Sequence, residues 1–442
     1  MKNNNRIIVK AEVFRYAVID ILFFVVASVI AGSKSATLPV IGYFFILLSG
    51  YMIIKVRKTR YLFYLVFIIG LINISVGIND FIHMGEGISV WQSERMRNTI
   101  YDLLSAKSVL LFLAAFNLFL NGHCIEKHEA TNTLLKNRKS DPLIAYGGLF
   151  VLLLVLIYAV IFELWRRSRG TYISISNPIY EYSVIVFVIS WMHSKNIKLC
   201  SKLLFVYGVV FSIVFLIMGD RSSVSMYVFA LLIMYYKKET KINIGRLTVV
   251  LVFGLIFVNF IGIVRDNPQY DLIEILKTII YRGFYVDTAS WAYYSGITIV
   301  AAGMRSTNPL FLFYSFVLSL FGVHNGFSQM AQYAAGMGSL YFNRGGGFFG
   351  SYFYAWFRFP GVIISGFLVG LILQKVYDGT SNIASFYQIL LIVFVIRWYI
   401  YSPIGFFRSV LLIGGLVYAL VSFVHKMMSR KTVDEESINV KL

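Results

Sequence analysis

Long apolar stretches, each separated from the next by a short polar segment, run through almost the whole chain. A transmembrane helix needs about 20 mostly apolar residues, and thirteen stretches approach that length. They lie at residues 14–33, 36–54, 61–79, 106–122, 142–162, 178–194, 203–219, 222–236, 247–264, 308–323, 359–374, 382–400 and 407–425. The pattern therefore predicts an all-α, polytopic helical membrane protein.

Basic residues in the connecting segments predict which end of each helix faces the cytoplasm. The N-terminal segment and the connections at 55–60, 123–141, 195–202 and 237–246 are all basic, as is the C-terminal tail. Basic loops remain on the cytoplasmic side of a membrane. We therefore expect both termini in the cytoplasm, which requires an even number of crossings.

An even number means that one of the thirteen stretches does not cross. We assign this role to 308–323, which lies in a run from Ser306 to Asn343 without any Asp, Glu, Lys or Arg. Irregular backbone at membrane depth must be covered by protein or line a cavity, so a re-entrant or surface-lying hairpin suits this run. The expectation is about 12 transmembrane helices in three parts: nine helices in 1–264, a long periplasmic or re-entrant segment at 265–357, and three helices and a cytoplasmic tail in 358–442.

Composition agrees with a membrane location and excludes other classes. Hydrophobic residues make up 58% of the chain and charged residues only 14%, whereas soluble domains carry about 25% charged residues. This excludes a soluble enzyme, a disordered chain and a fibrous repeat. The net charge of +19 is explained in part by basic cytoplasmic loops, so no nucleic-acid partner is expected. Both cysteines, Cys124 and Cys200, lie in predicted cytoplasmic loops, where a disulfide is not expected.

Arginine and lysine divide unequally between the two predicted sides. Lysine predominates inside and arginine outside, a preference that the positive-inside rule does not explain. Arginine binds phosphate and carboxylate through two parallel hydrogen bonds, so the outer side is predicted to bind an anion. The candidate residues are Arg221, Arg265, Arg282, Arg305 and Arg344. The alternative for each is an ion pair with a nearby acid or with a lipid phosphate.

Two further outer residues are candidates for chemistry. His324 could act as a general base at neutral pH, or it is simply hydrogen-bonded in a loop. Gly346 belongs to three consecutive glycines after Arg344, where the backbone can approach a ligand closely, although a flexible loop also needs glycine. The metal-binding and nucleotide-binding motifs HExxH, CxxC and the P-loop do not occur, so no metal and no cofactor are predicted. Asp20, inside the first stretch, is assigned a structural role.

A region late in the chain resembles a known family. It comprises Ala335 to Ser339, Arg344 to Ser351 and Tyr354 to Gly361. This glycine-rich patch before a late helix is similar to that of the O-antigen polymerases of Wzy type, the oligosaccharide repeat-unit polymerases. The resemblance covers about 40 residues by motif and the whole chain by topology. Members often carry a Glu shortly after the patch, whereas this chain has no Glu from Ser351 to Ala355, so a role for that Glu does not carry over.

The resemblance implies a glycosyltransferase in lipopolysaccharide biosynthesis. Such an enzyme joins undecaprenyl-pyrophosphate-linked O-antigen repeat units at the periplasmic face of the bacterial inner membrane. His324 and Arg282 would then be catalytic. Arg221, Arg265, Arg305, Arg344 and Gly346 would bind pyrophosphate or anionic glycan. The tyrosines 270, 281, 285 and 293 and Trp291 could stack on sugar rings or anchor the chain at the membrane interface. The expected partners are the lipid-linked glycans and the bilayer, and a chain-length regulator protein is left open.

Three alternatives come from other readings of the same residues. A lipid-linked oligosaccharide flippase would place its charges in a cavity between two similar halves, which the loop-located charges do not favour. An O-antigen ligase is permitted because His324-Asn325 followed by Gly336 and Gly338 resembles the His-Asn…Gly pattern of those enzymes. A scaffolding protein explains the outer arginines poorly.

Overall fold

The computed structural model describes most of the chain. The described residues are 2–57, 59–84, 99–120, 138–164, 178–218, 220–235, 260, 263, 269–282, 287–323 and 346–439. The following account concerns these residues.

Fourteen α-helices make up nearly all of the described part of the chain. They are α1 (Lys2–Gly32), α2 (Leu38–Val56), α3 (Arg60–Val76), α4 (Ile100–Phe119), α5 (Pro142–Tyr158), α6 (Pro178–Met192), α7 (Lys198–Met218), α8 (Arg221–Tyr235), α9 (Leu272–Arg282), α10 (Asp287–Arg305), α11 (Pro309–Leu320), α12 (Phe349–Asp378), α13 (Asn382–Val393) and α14 (Gly414–Asn439). Short π-helical segments occupy Gly77–Ile82, Ala159–Leu164, Arg397–Tyr401 and Gly405–Ile413. The prediction of an all-α fold is confirmed for these residues.

Eight of the described helical segments are long and apolar enough to cross a membrane. They are Phe14–Gly32, Leu38–Val56, Tyr61–Ile82, Ile100–Phe119, Pro142–Phe162, Lys198–Leu216, Phe349–Asp378 and Gly405–Met427. Four shorter apolar helices, α6, α8, α11 and α13, have 10–17 residues. The chain is thus a helical membrane protein, whereas the count of 12 spans stays a prediction. The predicted span at 247–264 lies almost wholly outside the described residues.

Helix α11 corresponds to the stretch that we expected not to cross. It has 12 residues, so it is about 18 Å long at the usual helical rise. A hydrocarbon core is about 30 Å thick. The helix alone is too short for a span, which is compatible with the predicted hairpin.

The helices form two compact units, and each unit draws on separate parts of the sequence. Unit 1 comprises Met1–His128, Glu239–Lys375 and Trp398–Ile404. Unit 2 comprises Glu129–Lys238, Val376–Arg397 and Gly405–Leu442. The three predicted parts, with boundaries at 264 and 357, were defined by the predicted side of the membrane. The two units are defined by contacts between residues, so the two divisions describe different properties of the chain.

In unit 1, α4 is the central helix, and α1, α2 and α10 all pack against it. Small residues allow the close approach of α12: a Cβ atom on Gly366 would lie 2.7 Å from the Ala115 Cβ and from the Phe112 carbonyl oxygen. The sequence analysis did not predict α10, which packs on α3 and α4 in the interior of the unit. Two residues of α10, Ser290 and Tyr293, belong to the candidate site described below.

Unit 2 is built around α6 and α8. Helix α5 packs along α6, α7 packs along α8, and α13 contacts both α6 and α8. Tyr227 of α8 is fully buried and shares a hydrogen bond of 2.7 Å with Ser183 of α6. The Phe187 and Phe211 rings pack against Tyr227, and Phe215 stacks on Phe211.

Candidate functional site

A cluster of buried acidic and hydroxyl side chains lies in unit 1 where α3 ends and α4 begins. We call Asp80, Asp102, Ser290 and Tyr293 the outer acid cluster, because both helix ends are on the predicted outer side. Both carboxylates are only 3% exposed. A charged side chain at membrane depth is costly and is retained mainly for function, so this cluster is the leading candidate site.

Asp102 occupies the first turn of α4, where the local sequence favours an acid. Thr99 caps this helix by accepting a hydrogen bond of 3.3 Å from the Asp102 backbone N–H. A carboxylate in the first turn is stabilised by the positive end of the helix dipole. The Tyr293 hydroxyl of α10 donates to the Asp102 side-chain oxygen Oδ1 and lies 3.2 Å from the Asp102 carbonyl oxygen. The Asp102 carboxylate therefore accepts a hydrogen bond from a hydroxyl group.

Asp80 reaches the same region from the π-helical end of α3. Its oxygen Oδ2 accepts a hydrogen bond of 2.7 Å from the Ser290 hydroxyl, one turn before Tyr293 on α10. The Tyr293 ring meets the neighbouring Phe81 ring edge-on, with centroids 4.9 Å apart. Single π-helical turns recur at functional sites, and here the wider turn brings Asp80 and Phe81 towards α10.

Small polar residues continue this region along α4 and α12. The Ser105 and Ser351 hydroxyl oxygens are 3.3 Å apart. Beside them is Gly296, where a Cβ atom would lie only 2.9 Å from the Ser351 oxygen. Close contact between small residues is a common way to pack membrane helices. These residues hold α10 against α4 and so fix the position of the outer acid cluster.

Arg305 is a predicted anion-binding residue that contacts Tyr101, the neighbour of Asp102 in this cluster. It ends α10, is exposed, and its guanidinium carbon lies 5.7 Å from the centre of the Tyr101 ring. Its Nε donates to the Tyr101 hydroxyl at 3.5 Å. Tyr101 immediately precedes Asp102, so one helix end presents a buried acid and an exposed guanidinium.

Arg358, a second arginine of unit 1, stands at a break in α12. Its backbone has φ 61°, a left-handed conformation that is uncommon for residues other than glycine. The guanidinium donates to the Gly303 carbonyl at 3.1 Å and to the Ala355 carbonyl at 3.4 Å. These bonds satisfy carbonyls near the ends of two helical segments, which explains why the strained conformation persists.

A second buried network of unit 1 lies near the predicted inner side. We call Asp20, Tyr51, Lys55 and Asn117 the inner ion-pair network. The Lys55 ammonium is 2.7 Å from Asp20 Oδ2 and also donates to the carbonyl and side-chain oxygens of Asn117. The other oxygen of Asp20 accepts bonds of 2.9 Å from Tyr51 and from Asn117. The network joins α1, α2 and α4, as expected for a structural Asp20.

In unit 2, the predicted outer side carries a capped helix start. Asp220 caps α8, accepting from the Ser223 backbone N–H at 3.2 Å and from the Ser222 and Ser223 hydroxyls. Arg221 is the first residue of that helix. Arg397 forms an ion pair with Glu181 in the first turn of α6. Arg221 is thus at a helix N-terminus, as the sequence predicted.

At the opposite ends of the unit 2 helices, basic and imidazole groups cluster around Asp141. The His425 Nδ1 lies 2.5 Å from an Asp141 oxygen, and Asp141 also caps α5 through the Ile144 N–H. The neighbouring His193 Nδ1 lies 2.9 Å from the Ile189 carbonyl oxygen.

Several predicted site residues lie outside the described residues: His324, Arg265 and Arg344. Arg282 is the last residue of α9, and the structure describes its backbone only. Gly346 is buried, and a Cβ atom there would lie 3.2 Å from the Ile400 carbonyl oxygen. The described end of the glycine run therefore packs on protein. The binding roles of these residues stay predictions.

One aromatic assignment is wrong. Tyr293 was expected to lie on the outer surface, open to a sugar ring or to the interface. It is 1% exposed, with its ring against Phe81 and its hydroxyl on Asp102. The ring cannot stack on a sugar in this arrangement, and the residue contributes a buried hydroxyl instead.

Comparison with known protein families, characterised proteins and solved structures finds no match to this chain. Among the residues that the structure describes, no group of three or more His, Cys, Asp and Glu side chains is arranged to hold a metal ion.

The outer acid cluster was not predicted from the sequence, for an identifiable reason. Neither Asp80 nor Asp102 was selected as a candidate site residue. The available signal was the place of each acid at the end of an apolar helix, which is expensive unless the group is used or paired. The partners Ser290 and Tyr293 were not predictable, because α10 itself was not predicted.

Proposed function

We propose that this protein is a glycosyltransferase that polymerises lipid-pyrophosphate-linked oligosaccharide repeat units at the periplasmic face of the bacterial inner membrane, as an O-antigen polymerase does. Three features support the proposal: the resemblance around the glycine-rich patch, the predicted excess of outer arginines, and the outer acid cluster. The observation that carries the site is the pair of buried carboxylates, each accepting a hydrogen bond from a hydroxyl group.

A carboxylate that accepts from a hydroxyl has the geometry of a general base towards a sugar. In the proposed reaction an acceptor-sugar hydroxyl takes the place of the Tyr293 or Ser290 hydroxyl on Asp102 or Asp80. The hydroxyl oxygen attacks the anomeric carbon of the donor as its proton passes to the carboxylate. The new glycosidic bond forms while the bond from the anomeric carbon to the pyrophosphate oxygen breaks.

The leaving group departs as a lipid-linked pyrophosphate anion. A guanidinium near the reacting carbon stabilises the negative charge that develops on the leaving pyrophosphate. We assign this role to Arg305, because it is exposed and contacts the residue before Asp102. Arg282 and Arg344 remain proposed contacts, and His324 remains the alternative general base.

The proposal is tested by gel analysis of lipopolysaccharide in a strain lacking this gene. The strain carries plasmids for the wild type, Asp102→Asn, Asp80→Asn, His324→Ala or the control Asp378→Asn, whose aspartate is exposed at the end of α12. We expect the strain without plasmid to show core with a single repeat unit. Wild type and control should restore the ladder, and Asp102→Asn should not, with equal amounts of protein in the membrane.

Each other result changes a defined part of the proposal. Core without any repeat unit in the strain lacking the gene would contradict a polymerase and indicate a flippase or a ligase. A full ladder from both aspartate variants, together with none from His324→Ala, would transfer the base to His324. A full ladder from all three variants would remove the proposed catalytic groups.

A further inference from the structure

Helix α9 of unit 1 has an exposed apolar surface that the proposed function does not use. Leu272, Ile273, Leu276 and Ile280 are 61%, 61%, 46% and 79% exposed. Leu272, Leu276 and Ile280 follow one another at intervals of four residues, and Ile273 lies beside Leu276 on the same side of the helix as Ile280. The four side chains therefore form one continuous strip, which we call the α9 strip.

The remaining positions of α9 divide into two further strips. Ile275 is 5% exposed and packs on protein. Asp271 and Glu274 are exposed on the side of the helix away from the α9 strip, and Lys277 is exposed between Glu274 and the edge of the strip at Ile273. Successive residues are about 100° apart around a helix. The helix circumference therefore divides into a side that packs on protein, the exposed apolar strip and an exposed charged strip. A helix meets these three environments together when it lies at a membrane surface beside the rest of its protein.

The length and the start of α9 fit this position better than a crossing. Its 11 residues span about 16 Å, roughly half of a hydrocarbon core. The N-terminus is closed by a reciprocal cap, in which the Glu274 N–H donates to Asp271 at 2.7 Å and the Asp271 N–H donates to Glu274 at 3.1 Å. Tyr270, which is 37% exposed, precedes this cap, and tyrosine is enriched at membrane interfaces.

Exposure of the α9 strip matches that of lipid-facing residues in the spans. Phe14, Leu22 and Tyr43 of the two first spans are 72%, 61% and 64% exposed. Because the chain is a membrane protein, lipid is the one apolar medium certain to border it. Water at the α9 strip would leave four large apolar side chains solvated, which is unfavourable relative to burial.

We infer that α9 is an interfacial helix: it lies in the plane of the membrane, with the α9 strip in the acyl-chain boundary and its charged strip in the headgroup layer. The inference does not require the proposed function. One consequence does rest on that function: Arg282, the last residue of α9, then has its backbone at the depth of a lipid-linked pyrophosphate.

The test measures the depth of single residues of α9 in a bilayer. Cys124 and Cys200 are replaced by serine in the full chain. Leu276→Cys, Ile280→Cys and the control Lys277→Cys are then made separately and labelled with the environment-sensitive dye NBD. The variants are reconstituted into vesicles with lipids that carry a quencher at the top of the acyl chain. Gel filtration before reconstitution shows which variants are folded and monodisperse.

We expect blue-shifted emission and several-fold stronger quenching by lipid at positions 276 and 280 than at 277, where a water-soluble quencher should act instead. Interfacial helices bury their apolar side about 5–10 Å into the boundary, a depth that shallow quenchers detect. Equal quenching at all three positions by the water-soluble agent would overturn the inference. So would weak lipid quenching together with disulfide cross-links between unlabelled Ile280→Cys copies, which would make the α9 strip a contact between chains. The measurement uses no glycan, so its failure leaves the proposed polymerase standing.

Discussion

The two buried polar networks of unit 1 both contain aspartate, but the groups that donate hydrogen bonds to the aspartates differ. In the inner ion-pair network, Asp20 meets the Lys55 ammonium at 2.7 Å, and Asn117 and Tyr51 occupy its other oxygen. In the outer acid cluster, Asp80 and Asp102 accept hydrogen bonds from the hydroxyls of Ser290 and Tyr293. Apart from the half-buried Tyr51, the side chains of both networks are at most 4% exposed.

The difference bears on what each network can do. An ammonium and a carboxylate in contact, each with further hydrogen bonds, form a unit that no substrate can enter without breaking a buried ion pair. The Ser290 and Tyr293 hydroxyls are neutral donors to Asp80 and Asp102, and a sugar hydroxyl is a donor of the same kind. The inner ion-pair network is therefore suited to holding helices together, whereas the proposed function assigns a sugar hydroxyl to the outer acid cluster.

The largest expected effect is on stability, from breaking the inner ion-pair network on one side. Lys55→Met leaves Asp20 buried without its cation, which should cost about 3–5 kcal/mol. The double variant Asp20→Leu/Lys55→Met removes both charges and should recover most of this loss. Thermal unfolding in detergent, followed by circular dichroism, compares the apparent Tm of the wild type, Lys55→Met, Asp20→Leu and the double variant. Additive losses in the double variant would show that the two charges are not coupled.

An intermediate effect is expected at the outer acid cluster, on activity rather than on stability. Arg305→Ala should lower repeat-unit polymerisation about tenfold or more, because a charge-assisted hydrogen bond to an anion contributes about 1.5–3 kcal/mol. Arg305→Lys should restore only part of the activity, since lysine lacks the bidentate geometry. The measurement is the amount of ladder per membrane protein.

Arg57→Ala is the matched control, because Arg57 is exposed at the predicted inner end of α2. An equal loss in Arg57→Ala and Arg305→Ala would mean that both act through membrane insertion. Unchanged activity in Arg305→Ala would exclude Arg305 from the site.

The smallest effect is expected from removing the hydroxyl of either tyrosine that donates to an aspartate, Tyr51 or Tyr293. Tyr51→Phe removes one of several partners of Asp20 and should cost about 1 kcal/mol without changing polymerisation per folded molecule. Tyr293→Phe should cost a similar amount but also alter polymerisation, because its hydroxyl lies on the proposed base. If Tyr51→Phe and Tyr293→Phe change activity equally, the functional distinction between the networks is wrong.

Sequence periodicity predicted the apolar spans well and the interior helix α10 not at all. Spans such as 14–33 and 142–162 agree closely with Phe14–Gly32 and Pro142–Phe162, because their apolar character exceeds that of any soluble element. Helix α10 carries Ser, Thr, Ala and Gly among its apolar residues. A helix buried among other helices needs no uniformly apolar surface, so a hydropathy criterion passes over it.

The candidate site was predictable in kind but only partly in its residues. The excess of outer arginine pointed to an anion, and Arg305 is indeed exposed at a helix end. The pairing of Asp102 with Tyr293 joins residues that are 191 positions apart. No local pattern reveals such a contact, since it depends on the packing of α10 against α4.

The inner ion-pair network also constrains how the chain is assembled in the membrane. Asp20 lies in the first span, whereas its partners Lys55 and Asn117 come 35 and 97 residues later. A ribosome adds about 5–20 residues per second, so Asp20 reaches the insertion machinery seconds before Asn117 exists. A carboxylate alone in lipid is costly. We therefore expect the first helix to remain next to the translocation channel, or to hold Asp20 at the inner interface, until α4 has been synthesised.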